Sequence, residues 1–172
     1  MDYIVKNTVG KLVEGNSPKE ASKLRILDPA CGSGSFLLGA YDFLLKSYLD
    51  AYVKDGPEKH KQRLYQAAGG WKLAIGEKKQ ILLNNIFGVD IDPQAVEVTK
   101  LSLLLKVLEG ESEQTAKPRL IKEPALPDLD QNIKCGNSLI SPDFYKDRTH
   151  VEEETRQRIN PFDWKTDRKS VV

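Results

Sequence analysis

Apolar positions along this chain alternate between two spacings. Ile4, Val5, Val9, Leu12 and Val13 recur at roughly helical intervals over Met1–Glu14. Gly15-Asn16-Ser17-Pro18 interrupts them, and Leu24–Leu27 follows as a short apolar run that reads as a first strand. From Ser35 to about Tyr52 the helical period returns, with Leu37, Tyr41, Leu44 and Tyr48 on one face, until Gly56-Pro57 ends it. A second apolar strand within Asn84–Asp90 closes on Asp90. Asp92-Pro93 then reads as N-cap and first residue of a helix whose body is Gln94–Glu109. Val96, Val98, Leu101, Leu103, Leu104, Leu105, Val107 and Leu108 leave that helix apolar on most faces, which predicts burial on more than one side. Glu111–Asp130 is polar and proline-punctuated, a long loop. Ile133-Lys134-Cys135 is a third short strand, turning at Gly136-Asn137-Ser138. Strands that alternate with long helices predict an α/β fold with a parallel sheet.

The run Leu24-Arg25-Ile26-Leu27-Asp28-Pro29-Ala30-Cys31-Gly32-Ser33-Gly34-Ser35-Phe36-Leu37-Leu38 carries the chemistry. Strand, acid, glycines and helix in that order build a small-molecule site at the carboxyl edge of a parallel sheet. Glycines admit a ligand close to the backbone, and the helix N-terminus offers N–H donors. A dinucleotide fingerprint would need a third glycine where Leu37 stands. A phosphate loop would need a lysine directly after Gly34, and none follows until Lys46. Asp28 would also repel a pyrophosphate, whereas a ligand carrying amino and sulfonium charge suits it.

D-P-A-C-G-S-G-S-F-L resembles motif I of S-adenosylmethionine-dependent DNA methyltransferases of the adenine-N6 type, above all the methylase modules of restriction-modification enzymes. The resemblance covers about Met1 to Leu139 and implies a Rossmann-like methyltransferase fold, here a partial parallel sheet of about three strands with flanking helices. It also implies that the first strand is central, with the second and third on one side and a fourth, missing here, on the other. Cofactor contacts are then expected from Asp28, Ala30, Gly32 and Gly34. A carboxylate ending the second strand can accept hydrogen bonds from both ribose hydroxyls. Asp90 stands there, while Asp92 is explained by capping alone. By resemblance Ile91 lies against the adenine face. Gly136-Asn137-Ser138-Leu139 is similar to the family's Gly-Asp/Asn-Ser-Leu segment, in which a polar side chain bonds the adenine. The amide oxygen of Asn137 is competent to accept from the exocyclic amine.

The family's Asp/Asn-Pro-Pro-Tyr/Phe segment, which holds a flipped target base, has no match. Asn160-Pro161-Phe162 lacks the second proline, and Val151–Arg158 before it is too charged to be a buried parallel strand. No catalytic residue and no metal ligand is therefore assigned. Residues 1–140 are expected to form the cofactor-binding part, with a solvated helical insertion at about 53–83, and 141–172 a polar, irregular tail. Lys59, Lys61, Arg63, Lys72, Lys78 and Lys79 around Tyr65 and Trp71 in the insertion are a weaker candidate for nucleic-acid contact.

Composition changes this picture little. A formal net charge of +1 argues for no global field toward nucleic acid or membrane. Cys31 and Cys135 form no metal or disulfide pattern, and Cys31 reads as a small residue in a tight turn. His60 and His150 sit in charged stretches. No apolar run approaches a membrane span and no signal peptide is evident, so a cytoplasmic location is expected. DNA, met through the full enzyme, and the remaining methyltransferase and target-recognition regions are the expected partners. The alternatives are a non-catalytic cofactor-binding fragment, one piece of a split enzyme, or another Rossmann-type nucleotide enzyme.

Overall fold

The computed structural model describes residues 1–110, 126–146 and 152–166. Most of the expected Glu111–Asp130 loop, and His150, lie outside the described residues. The N-terminal segment is helical as its spacing predicts: α1 (Asp2–Val5), a π-helical turn over Lys6–Gly10 and α2 (Lys11–Val13), which bury Val5, Val9 and Val13. α3 (Pro18–Ala21) begins with a reciprocal cap between Ser17 and Glu20, and Pro18 occupies its first position.

β1 (Ile26–Asp28) leads through the glycine turn into α4 (Ser35–Asp55). The stripe read from the sequence, Leu37, Tyr41, Leu44 and Tyr48, is the face that α4 buries. Gly34, at φ +79°, is the residue from which the helix starts. The interval expected to be a helical insertion is helical over Pro57–His60 and from Ile75 onward, and between them contains a hairpin, β2 (Leu64–Ala67) paired antiparallel with β3 (Gly70–Leu73). Leu64 and Leu73 face each other and are buried, while Gln66 pairs with Trp71. Gly70, at φ +112°, permits the tight reversal that Ala68-Gly69 spans. The flanking lysines gave the stretch the composition of a solvated helix. Of the basic residues there, Lys78 and Lys79 are buried, and the Lys78 Nζ donates to the Glu109 carbonyl at 3.0 Å.

α5 (Ile75–Asn85) runs directly into β4 (Ile86–Asp90), followed by α6 (Pro93–Leu108) and β5 (Ile133–Cys135). The sheet is parallel with order β1-β4-β5, and Ile26 lies opposite Ile86 while Gly88 lies opposite Ile133. The first strand therefore has the second and third on one side, as the resemblance implied. Two buried asparagines lock the strand entries. Asn85 Nδ2 donates to the carbonyls of Ala21 (2.8 Å) and Leu24 (2.7 Å), and Asn132 Nδ2 to those of Leu83 (3.0 Å) and Ile86 (2.8 Å).

α6 departs from its expected burial on several sides. Val96, Thr99, Leu103 and Val107 form one buried stripe, whereas Val98, Leu101 and Leu105 are 50–58% exposed. The sheet and its neighbouring helices cover one face of α6, and these three side chains lie off that face. Among the described residues, no helix is long and apolar enough to cross a membrane.

β1 pairs with β4 alone, so its outer edge carries no strand among the described residues. Arg25, the charge that precedes β1, lies over the Phe87 ring at 5.7 Å. An unguarded strand edge is a template for pairing. The purified chain is expected to self-associate in gel filtration coupled to light scattering, with amide exchange along Ile26–Asp28 as the local probe. A monomer with strongly protected amides there would contradict the open edge.

Candidate functional site

The parallel strands deliver Asp28, Asp90 and Gly136 to one edge, because each follows or ends a strand at its carboxyl side. Asp90, on the middle strand, connects the three loops. Its Oδ2 accepts from the Gly32 amide at 2.7 Å and its Oδ1 from the Asp92 amide at 3.0 Å. Its carbonyl accepts from the Gly136 amide at 2.8 Å. Asp28 Oδ1 accepts from the Ala30 amide at 3.1 Å, and the Cys31 amide donates to the Val89 carbonyl at 3.0 Å. Asp28, Ala30, Gly32, Gly34, Asp90 and Ile91 are thus brought to a single acidic edge. Asn137 joins them through Gly136.

The two glycines of the turn serve different ends. Gly32 has φ +52° and nothing within 4 Å of where a Cβ would stand, so the space over it is open to a ligand. Gly34 has φ +79° and a Cβ there would meet Thr99 Cγ2 at 2.7 Å. Thr99 is the residue that sequence reasoning missed. Fully buried, it donates from Oγ1 to the Gly32 carbonyl at 2.8 Å and anchors the turn to α6. Its only sequence signal is a hydroxyl in an apolar helix, on the same stripe as Val96 and Leu103.

Cys31 is buried beside Gly88, where a Cβ would come within 3.0 Å of its sulfur. Burial pushes its thiol up to about 11, and the charges of Asp90 and Asp28 push in the same direction. It stays protonated at neutral pH and acts as packing, as expected from the sequence. Asp92 caps α6, its Oδ1 accepting from the Gln94 amide at 2.9 Å, with Pro93 in the first position. Ile91 is 48% exposed next to Asp90 and presents an apolar surface at the lip of the edge. A separate hollow of about 460 Å³, lined by Gly10, Phe43 and Tyr48 among others, shares no residue with this edge.

The described part of the expected irregular tail is ordered against the site. α7 (Glu153–Ile159) buries no residue, so no buried strand precedes Asn160-Pro161-Phe162, in keeping with its charge. After α7 the chain returns to Asn137, which forms a parallel bridge with Pro161. A long-range return of this kind has no local sequence signal.

Residues 11–158 match the family described as the MmeI DNA-methyltransferase domain. The chain is 36% identical over 160 residues to the type II restriction enzyme and methyltransferase RM.Eco57I of Escherichia coli, covering 93% of this chain and 15% of that protein. It is 40% identical over 121 residues to the putative type II restriction enzyme and methyltransferase RM.MjaORFECS2P of Methanocaldococcus jannaschii, covering 70% of this chain and 9% of that one. To the adenine-specific methyltransferase PglX of Streptomyces coelicolor it is 27% identical over 139 residues, 81% of this chain and 9% of that protein. The chain therefore spans a small part of the length of these relatives.

Proposed function

We propose, from the premise that this chain belongs to the family of MmeI DNA-methyltransferase domains, that it is the S-adenosylmethionine-binding part of a restriction-modification methyltransferase acting on adenine N6. The observation that carries the reading is the Asp90 carboxylate at the junction of three loops beside open backbone at Gly32. Each Asp90 oxygen accepts one backbone amide and keeps acceptor capacity for a ribose hydroxyl. The donor set suits the cofactor: carboxylates for a cationic amino-acid end, an apolar Ile91 for a base face, and an amide at Asn137 for the base edge. PglX is named adenine-specific, which agrees with the base chemistry that the glycine-turn motif implies.

When bound, the cofactor supplies an electrophilic methyl group on sulfur. The work of this chain is to hold it in place. Asp90 accepts the ribose hydroxyls, Asp28 meets positive charge, and the Ala30–Gly34 turn lets backbone come close. Asn137 accepts from the adenine amine. Holding two reactants in line accounts for much of the barrier reduction in such a transfer. The groups that would orient a DNA amine belong to the remainder of a full-length enzyme, which also supplies contact with DNA.

Calorimetry on this chain tests the reading. S-Adenosylmethionine and S-adenosylhomocysteine are expected to bind, in preference to NAD and ATP. Tritiated methyl transfer to mixed genomic DNA by the chain alone is expected to stay at background. Preference for NAD or ATP would overturn the cofactor assignment. Methylation abolished by Asn160→Ala would make Asn160-Pro161-Phe162 a working target-base segment.

A further inference from the structure

We propose that Phe162 and Trp164 are positioning residues that clamp the Gly136–Ser138 turn, so that base discrimination at Asn137 depends on the returning 160–164 segment. The inference rests on the reading of Asn137 as the adenine contact. Both backbone groups of Asn137 are held by this segment: its amide donates to the Asn160 carbonyl at 2.6 Å, and its carbonyl accepts from the Phe162 amide at 3.1 Å. The Phe162 amide also donates to the Ile140 carbonyl at 2.9 Å, and Trp164 Nε1 donates to the Ser138 carbonyl at 2.8 Å. Four hydrogen bonds thereby tie Asn137, Ser138 and Ile140 to the returning segment.

Packing reinforces these bonds. Phe162 is 8% exposed, and its Cδ2 lies 2.8 Å from where a Gly136 Cβ would stand. Gly136 is not among the positive-φ glycines, so here glycine supplies room for the ring rather than an unusual backbone. Phe162 and Trp164 meet edge to face at 4.7 Å between ring centroids. Asn160 makes the approach possible by adopting φ +40° at the end of α7, and its Nδ2 donates to Cys135 Sγ at 3.5 Å.

The direction of the Asn137 amide follows from that backbone, since Asn137 Oδ1 accepts from the Leu139 amide at 3.1 Å within the same turn. An amide held in one direction can favour a 6-amino purine, which donates to it, over a 6-oxo purine, which cannot. Such rejection requires a fixed group, because a free one rotates to suit either ligand.

The test compares S-adenosylhomocysteine with its 6-oxo analogue, S-inosylhomocysteine, by calorimetry on the full chain. The wild type is expected to prefer the 6-amino ligand by about tenfold, the worth of one hydrogen bond. Phe162→Ala is expected to bring the ratio close to one, Phe162→Leu to restore part of it, and Trp164→Phe to lower it less. A clamp that matters only to stability would weaken both ligands by the same factor, and an unchanged ratio in the variants overturns the proposal. If Phe162→Ala does not fold, Trp164→Phe decides alone, because it keeps the ring and removes one N–H donor. Failure of the wild type to bind S-adenosylhomocysteine overturns the functional reading, whereas wild-type preference that the variants leave intact overturns the clamp alone.

Discussion

Asp90→Ala is expected to weaken S-adenosylhomocysteine binding by about tenfold to 150-fold, the equivalent of about 1.5–3 kcal/mol for hydrogen bonds to a charged group. The same substitution removes the acceptor for the Gly32 and Asp92 amides, so part of any loss comes from a loosened turn. A ligand lacking both ribose hydroxyls separates the two effects. If the carboxylate binds ribose, wild type and variant will differ much less for that ligand than for the natural one. Asp90→Asn retains one side-chain acceptor oxygen and is expected to fall between wild type and Asp90→Ala. Equal calorimetric affinity of wild type and Asp90→Ala for S-adenosylhomocysteine would remove Asp90 from the site.

Gly34→Ala is expected to cost about 2–5 kcal/mol of stability, its new methyl group directed at Thr99. A side chain in the left-handed region costs about 1–2 kcal/mol, and overpacking a filled core a further 1–3 kcal/mol or so. The neighbour is Thr99, β-branched, fully buried and bonded to the Gly32 carbonyl, so it has nowhere to move. Thermal denaturation should register a drop of several to about 20 °C for a chain of this length. Adding Thr99→Ala should recover the packing share and leave the strain, a non-additivity that a double-mutant cycle reads directly. Gly32→Ala is the contrast: φ is again positive, but the space is open, so stability falls by about 1–2 kcal/mol from strain alone. There the new methyl group projects where ligand is expected, and binding should suffer more than folding. An unchanged melting temperature for Gly34→Ala would show that the turn adapts in a way this packing forbids.

The local chemistry of the chain specified much of this arrangement. Apolar runs of strand length, the glycines at Gly32 and Gly34, and the Asp92-Pro93 cap marked β1, α4, β4, α6 and β5 to within about three residues. They also put Asp28 and Asp90 at strand ends. Each of these signals acts between near neighbours: a backbone angle, a side chain on its own amides, a repeat of apolar positions. That is why a linear reading captures them. The hairpin at Leu64–Leu73 was masked by the charge around it.

Tertiary structure alone decided what the polar residues inside the fold do. Thr99 meets Gly32 across 67 positions, Asn85 meets Ala21 across 64, and Trp164 meets Ser138 across 26. None of these pairs has a periodic or capping signature, because each partner satisfies a backbone group whose need arises only after the sheet and helices have packed. The same holds for the face of α6 that stays exposed, since apolar composition says which residues favour burial and only the neighbouring elements determine which of them obtain it.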